Sequence, residues 1–146
     1  MEHCELVPGR GIRRDVTDIF FGMPRKKLRD ALGWKAGGEN MWDDEDEYTD
    51  ASGGDWLRLR FLDDKLCDIE LMGGKLTHEG IELLATDMTT LRAALKKSGM
   101  ALEATEWLSE GHDVVDLQIV VASREDVGEV GDEIEWVITS CDFRVE

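Results

Sequence analysis

The stretch Leu57-Arg58-Leu59-Arg60-Phe61-Leu62-Asp63-Asp64-Lys65-Leu66-Cys67-Asp68-Ile69-Glu70-Leu71 decides the fold class. Leu57, Leu59 and Phe61 alternate with Arg58 and Arg60; beyond the Asp63-Asp64-Lys65 turn, Cys67, Ile69 and Leu71 alternate with Asp68 and Glu70. A period of two places one set of side chains on each face of a strand, so the stretch predicts a half-buried β-hairpin. A second hairpin is predicted where Val115, Leu117, Ile119 and Val121 alternate with Asp116 and Gln118, followed by Ile134, Trp136 and Ile138 alternating with Glu135 and Val137. Similar turns precede the two, Gly53-Gly54-Asp55 and Gly111-His112-Asp113, and residues 47–50 and 102–108 read as leading strands.

Upstream of each hairpin lies a short strand and a helix. Ile19-Phe20-Phe21-Gly22-Met23-Pro24-Arg25-Lys26-Lys27-Leu28-Arg29-Asp30-Ala31-Leu32 aligns with Glu82-Leu83-Leu84-Ala85-Thr86-Asp87-Met88-Thr89-Thr90-Leu91-Arg92-Ala93-Ala94-Leu95, matching at Leu28/Leu91, Arg29/Arg92, Ala31/Ala94 and Leu32/Leu95. Pro24 suits the first helical position and Gly33 the left-handed residue past the end. In the second copy Thr86 or Asp87 can cap the exposed N–H groups, and Lys96, Lys97 and Gly99 mark the end. Leucines four apart give each helix one apolar side, and both helices are too short to stand alone. The expected architecture is one α+β domain, residues 1–146, with an antiparallel sheet carrying two short helices on one face. It is built from two tandem β-α-β-β(-β) repeats, about 10–73 and 76–143, meeting at the Gly73-Gly74-Lys75 turn. Half of this chain would bury too little surface to be comfortably stable alone.

The chain has 17 Lys plus Arg against 33 Asp plus Glu, a net charge of −16, with 42% apolar residues and 34% charged ones. That apolar content supports a core, and the charge opposes any direct grip on nucleic acid or an anionic membrane. A basic partner is expected. The charge is uneven: 10–35 holds eight basic and three acidic residues, 39–55 eight acidic and no basic, and 99–146 thirteen acidic against two basic. Carboxylates interleaved with aromatics suit a surface rich in Arg and Lys. The candidate partner-binding residues are therefore Trp42, Asp43, Asp44, Glu45, Asp46, Glu47, Tyr48 and Trp56 in the first acidic region, and Glu125, Asp126 and Glu129 in the second. Met41 and Trp107 are further aromatic-region candidates.

No catalytic motif accompanies them. Gly-x-Ser-x-Gly, His-Glu-x-x-His and glycine-rich phosphate loops are absent, and Asp43–Glu47 lacks the ligand spacing of an EF-hand. Cys4, Cys67 and Cys141 are odd in number and widely spaced, without zinc-site spacing, so Cys67 and Cys141 read as small core hydrophobes. No cofactor, metal or enzymatic activity is expected; His112 is the one titratable group that invites inspection.

Residues 19–33, a strand followed by Gly-Met-Pro, a Leu-bearing helix and Gly, resemble the helical start of the repeat in β-lactamase inhibitor proteins and SmpA-type lipoproteins. They also look like many small, acidic, cytoplasmic immunity proteins of toxin loci. Residues 1–14 carry no apolar core of signal-peptide length and no lipobox cysteine, and the chain lacks the paired disulfides of the secreted inhibitors. A cytoplasmic immunity protein is therefore the resemblance that remains. It implies a stoichiometric inhibitor that neutralises a cognate basic toxin. The alternatives are a nucleic-acid mimic that inhibits a DNA-binding protein, and a small ligand-binding module with a site between helices and sheet.

Overall fold

The computed structural model describes residues 2–33 and 43–143. The predicted α+β class holds, with two sheets where one was expected. The first hairpin lies where alternation placed it, as β5 (Asp55–Leu62) and β6 (Lys65–Leu71). Asp63 and Asp64 both take left-handed backbone conformations, φ 53° and 60°. That geometry matches the twist of a two-residue hairpin turn, and Asp tolerates it better than most side chains.

This hairpin lies in a seven-stranded antiparallel sheet. β4 (Glu45–Thr49) pairs with β5, and β12 (Ile134–Ser140) pairs with β6. β11 (Ile119–Ser123), β10 (His112–Val114) and β9 (Glu103–Ala104) follow in that order outward from β12. The second sheet runs β3 (Thr17–Phe20), β2 (Gly11–Arg14), β1 (His3–Val7), β7 (Lys75–His78), β8 (Ile81–Glu82), with only the β1 and β7 pair parallel. Helices α1 (Arg25–Leu32) and α2 (Met88–Lys97) each follow an edge hairpin. Asp87 caps α2 by accepting from the Thr90 N–H, and Gly33 ends α1 in the left-handed region. Each half runs hairpin, helix, antiparallel strands, while β1 sits between the two hairpins and belongs to neither series.

One apolar core draws on both sheets and both helices: Leu6, Ile12 and Ile19 from one sheet, Leu57, Leu59, Ile69 and Val137 from the other, with Leu28, Leu91 and Leu95 from the helices. Several local expectations change. The strand read through 115–121 is broken at 115–117 by a 3-10 turn and at Gln118 by a left-handed residue (φ 55°). Every residue of β11 is buried, so this central strand, covered on both faces, departs from the expected alternation. Of the leading strand at 102–108 only β9 forms, because the Thr105 hydroxyl accepts from the Trp107 and Leu108 N–H groups and turns the chain. Likewise His112 opens β10 rather than sitting in a turn. Cys67 is buried, but Cys141 is exposed on the turn after β12, outside the core expected for it.

Candidate functional site

The residues that alternation turns away from the core form a charged ladder on the outer face of the seven-stranded sheet. Register places Glu45, Arg60, Asp68 and Ser140 in one row across β4, β5, β6 and β12, and Glu47, Arg58, Glu70 and Ile138 in the next. Cross-strand neighbours of opposite charge meet directly. Arg58 donates from Nε to Glu47 Oε1 at 3.0 Å and from Nη1 to Glu70 Oε2 at 2.9 Å. Arg60 Nε and the Ser140 hydroxyl both donate to Asp68.

Over this ladder opens a cleft of about 660 Å³. Its charged lining is Glu45, Asp68, Glu70 and Asp142 against Arg58 and Arg60, and its apolar walls are Trp107, Leu108 and Ile138. Trp107 is held by an edge-to-face contact with Phe143, centroids 5.5 Å apart. Glu45 Oε1 is shielded from water without a hydrogen-bond donor among the described residues; the nearest cation is Arg58 Nε at 3.8 Å. Burial pushes the Glu45 carboxyl above its ordinary range against the pull of Arg58, with Asp44, Glu47 and Glu70 adding to the rise. Glu70 is raised as well, by burial first and then by Glu47. Four carboxylates facing two guanidiniums leave the cleft with surplus negative charge that a bound cation would relieve.

The candidate residues in the sequence fall into different places. Trp42, like Met41, lies outside the described residues. Asp43 and Asp44 are exposed and line a shallow depression with Asp63, Asp64 and Phe61. Glu45 reaches the cleft, and Glu47 is taken by Arg58. Asp46 points inward. It is fully buried, accepting from Arg29 Nε and Nη2 at 2.7 and 2.6 Å and from Arg25 Nη2 at 2.7 Å. Burial alone would raise its carboxyl, but the hydrogen bonds from Arg29 and Arg25 hold it below the ordinary value.

Tyr48 and Trp56, 8% and 3% exposed, belong to the core and offer no surface anchor: Tyr48 faces Leu57 on the inward side, and Trp56 is the extra residue of a bulge where Tyr48 pairs with Leu57 and Thr49 with Asp55. Glu125 and Glu129 are exposed, whereas Asp126 is half-buried, accepting from Ser123 N–H and lying 3.1 Å from His112 Nδ1. The two acidic regions do not merge on the sheet: β5, β6 and β12 lie between β4 and β11. What sequence reasoning missed is the cleft itself. Its signal was present in the polar half of the β5–β6 alternation, two arginines facing two acids, but Trp107 and Leu108 reach it only through the turn at Thr105.

The chain matches no family model, no curated protein and no solved structure. Among the described residues no helix is long and apolar enough to cross a membrane.

Proposed function

We propose that the protein is an immunity-type inhibitor, binding a cognate basic toxin in a stoichiometric complex and neutralising it. The observation that carries this reading is the open cleft in which carboxylates outnumber guanidiniums beside Trp107 and Leu108. A Lys or Arg side chain of the partner suits that lining: its charged end would sit among the carboxylates of Glu45, Glu70 and Asp142, and its aliphatic stem against Trp107 and Leu108. Asp43 and Asp44, immediately before Glu45, add an exposed negative field that would steer a basic surface toward it. The experiment is capture of partners from source-cell extract on the immobilised chain at low salt, then co-expression of the captured protein with and without the chain. A basic protein that arrests growth alone and is neutralised by the wild-type chain is expected, with Glu45→Gln and Glu70→Gln weakening the complex about tenfold or more, in the range of a lost charged contact. A partner that is harmless alone, or is neutralised equally by the Gln variants, overturns the reading.

A second reading rests on the same cleft, whose volume suits a small molecule. In it a free amine or guanidine occupies the place of the partner's side chain. Saturable quenching of Trp fluorescence by spermidine or free arginine, lost in Trp107→Phe with Glu45→Gln, separates it from the first.

A further inference from the structure

Cys67 and Cys141 are far apart in sequence, yet the fold brings them together. The Cys141 N–H donates to the Cys67 carbonyl at 2.9 Å across the β6–β12 pair, and the two Sγ atoms lie 2.7 Å apart as free thiols. That is about 0.7 Å longer than a disulfide bond, a gap that a small side-chain adjustment closes. Cys141 is exposed and Cys67 buried, so one sulfur meets solvent and the other waits behind it. Asp142 Oδ2 and Arg60 Nη2 approach Cys67 Sγ at 3.5 and 3.9 Å. Cys67, Cys141 and Asp142 also form a potential metal-ligand group. Two thiolates on one tetrahedral zinc, however, would stand about 3.8 Å apart, given Zn–S bonds of about 2.3 Å, so the closer spacing fits sulfur–sulfur chemistry better.

We propose that Cys67 and Cys141 form a reversible oxidation site that closes to a disulfide when hydrogen peroxide reaches Cys141. The Cys141 sulfur attacks one peroxide oxygen; the O–O bond breaks, an S–O bond forms, and the thiol proton leaves with the departing oxygen as water. The Cys67 sulfur then attacks the resulting sulfenic acid: the S–S bond forms, the S–O bond breaks, and the hydroxyl leaves with the Cys67 proton as a second water. The thiol pair loses two electrons and the peroxide gains them. Burial, then the hydrogen bond with Cys141 and the charge of Asp68, push the Cys67 thiol up to about 12, and burial raises Cys141 as well. With Arg60, Asp68 and Asp142 around the pair, the reaction is slow near neutral pH and accelerates toward alkaline pH, where thiolate forms. Closure ties the turn after β12 to β6, and Ser140 and Asp142, which flank Cys141, line the cleft. Oxidation therefore bears on the geometry of the cleft whatever binds there.

The test treats the full folded chain with hydrogen peroxide. The expected result is loss of two of its three titratable thiols, an intact mass lower by about 2 Da, and a non-reduced digest containing one peptide that links Cys67 to Cys141. Dithiothreitol restores all three thiols. Oxidation is also expected to raise Tm by roughly 10 °C, because the bond closes a long loop in the unfolded chain. Cys4→Ser keeps the linked peptide, while Cys67→Ser and Cys141→Ser each abolish it. Mass gains of about 16 Da or more without a linked peptide, disulfide-joined dimers through Cys141, or stoichiometric zinc protecting both thiols from peroxide would each overturn the proposal.

Discussion

Replacing Asp46 with Ala is expected to unfold this chain more readily than any other single change in the acidic stretch 43–47, and the reason is geometric. Asp46 is fully buried on β4, and both its oxygens accept from guanidiniums: Arg29 forks across Oδ1 and Oδ2, and Arg25 reaches Oδ1 from the start of α1. The side chains of Arg25 and Arg29 are 15% and 31% exposed, so removing the carboxylate leaves two partly desolvated cations facing each other. Breaking a buried ion pair by deleting one partner costs about 3–5 kcal/mol. Because both arginines retain some water, and Arg25 still donates to the Asp43 and Glu45 carbonyls, the lower end, about 3 kcal/mol, is the better figure. For a chain of 146 residues that is a fall in Tm of roughly 6–12 °C, and about a hundredfold in the folded-to-unfolded ratio. Urea unfolding followed by Trp fluorescence measures it, with Asp43→Ala, an exposed neighbour, expected within about 0.5 kcal/mol of wild type. A double-mutant cycle with Arg29→Met should return coupling of at least about 1 kcal/mol. If Asp46→Ala and Asp43→Ala prove equally mild, Asp46 does not anchor α1 to β4 and the reasoning fails.

Three further outcomes are expected. Asp43→Asn with Asp44→Asn should slow association with a basic partner and flatten its salt dependence while leaving stability unchanged; stopped-flow mixing at two ionic strengths checks this, and unchanged kinetics would remove these residues from the interface. Gly11→Ala should cost about 3 kcal/mol or prevent folding, because the new Cβ would run into the Ile19 carbonyl at a φ of 137°, whereas Gly22→Ala, also left-handed but open to solvent, should cost only about 1 kcal/mol by thermal melting. Acid unfolding should show two limbs: as pH falls toward 4.5 the raised carboxyls of Glu45 and Glu70 take up protons more readily folded than unfolded and stability rises, then below 3.8 Asp46, held low in the folded chain, loses its ion pairs and stability falls. Glu70→Gln should flatten the first limb and Asp46→Asn the second in urea titrations across pH.

The parts of the fold legible in the sequence are those where one local rule acts alone. Leu57 to Leu71 is a strand, a turn and a strand, each one face buried, so alternation and two aspartates suffice. Leu28 and Leu91 mark helices because their neighbours are polar. β11 departs from the expected alternation because both faces of Ile119–Ser123 are covered, and a strand buried on both sides loses the period of two. β1 alternates, with Cys4 and Leu6 buried against exposed His3 and Glu5, whereas β2 buries its neighbours Gly11 and Ile12 together, and each strand is too short to stand out from the charged stretch around it. The second sheet exists through the pairing of β1 with β7, a contact between the start and the middle of the chain that no local pattern encodes. At the site, the same limit applies: Arg58, Arg60, Asp68 and Glu70 were visible as a polar face, but composition could not tell that Asp46, Tyr48 and Trp56 turn inward while Glu45 turns out.

That inward turn changes what the net charge means. Read along the chain, residues 10–35 form a basic arm beside an acidic remainder, which suggests a molecule with two poles. In the fold, Arg13 pairs with Asp18, Arg14 with Glu2, and Arg25 and Arg29 with Asp46, so most of the arm's arginines are neutralised by carboxylates within or next to it. Arg58 and Arg60 are likewise taken by Glu47, Glu70 and Asp68. Each such pairing cancels charge inside the fold and leaves the net charge of −16 unchanged, so the excess rests on the carboxylates outside these contacts. Outside those pairs, Asp43, Asp44 and Asp63 are exposed and act outward. An acidic chain that uses its arginines to build its own sheet and helix contacts keeps its full excess of −16, carried by carboxylates outside those contacts, and a basic surface approaching the molecule would meet those carboxylates first.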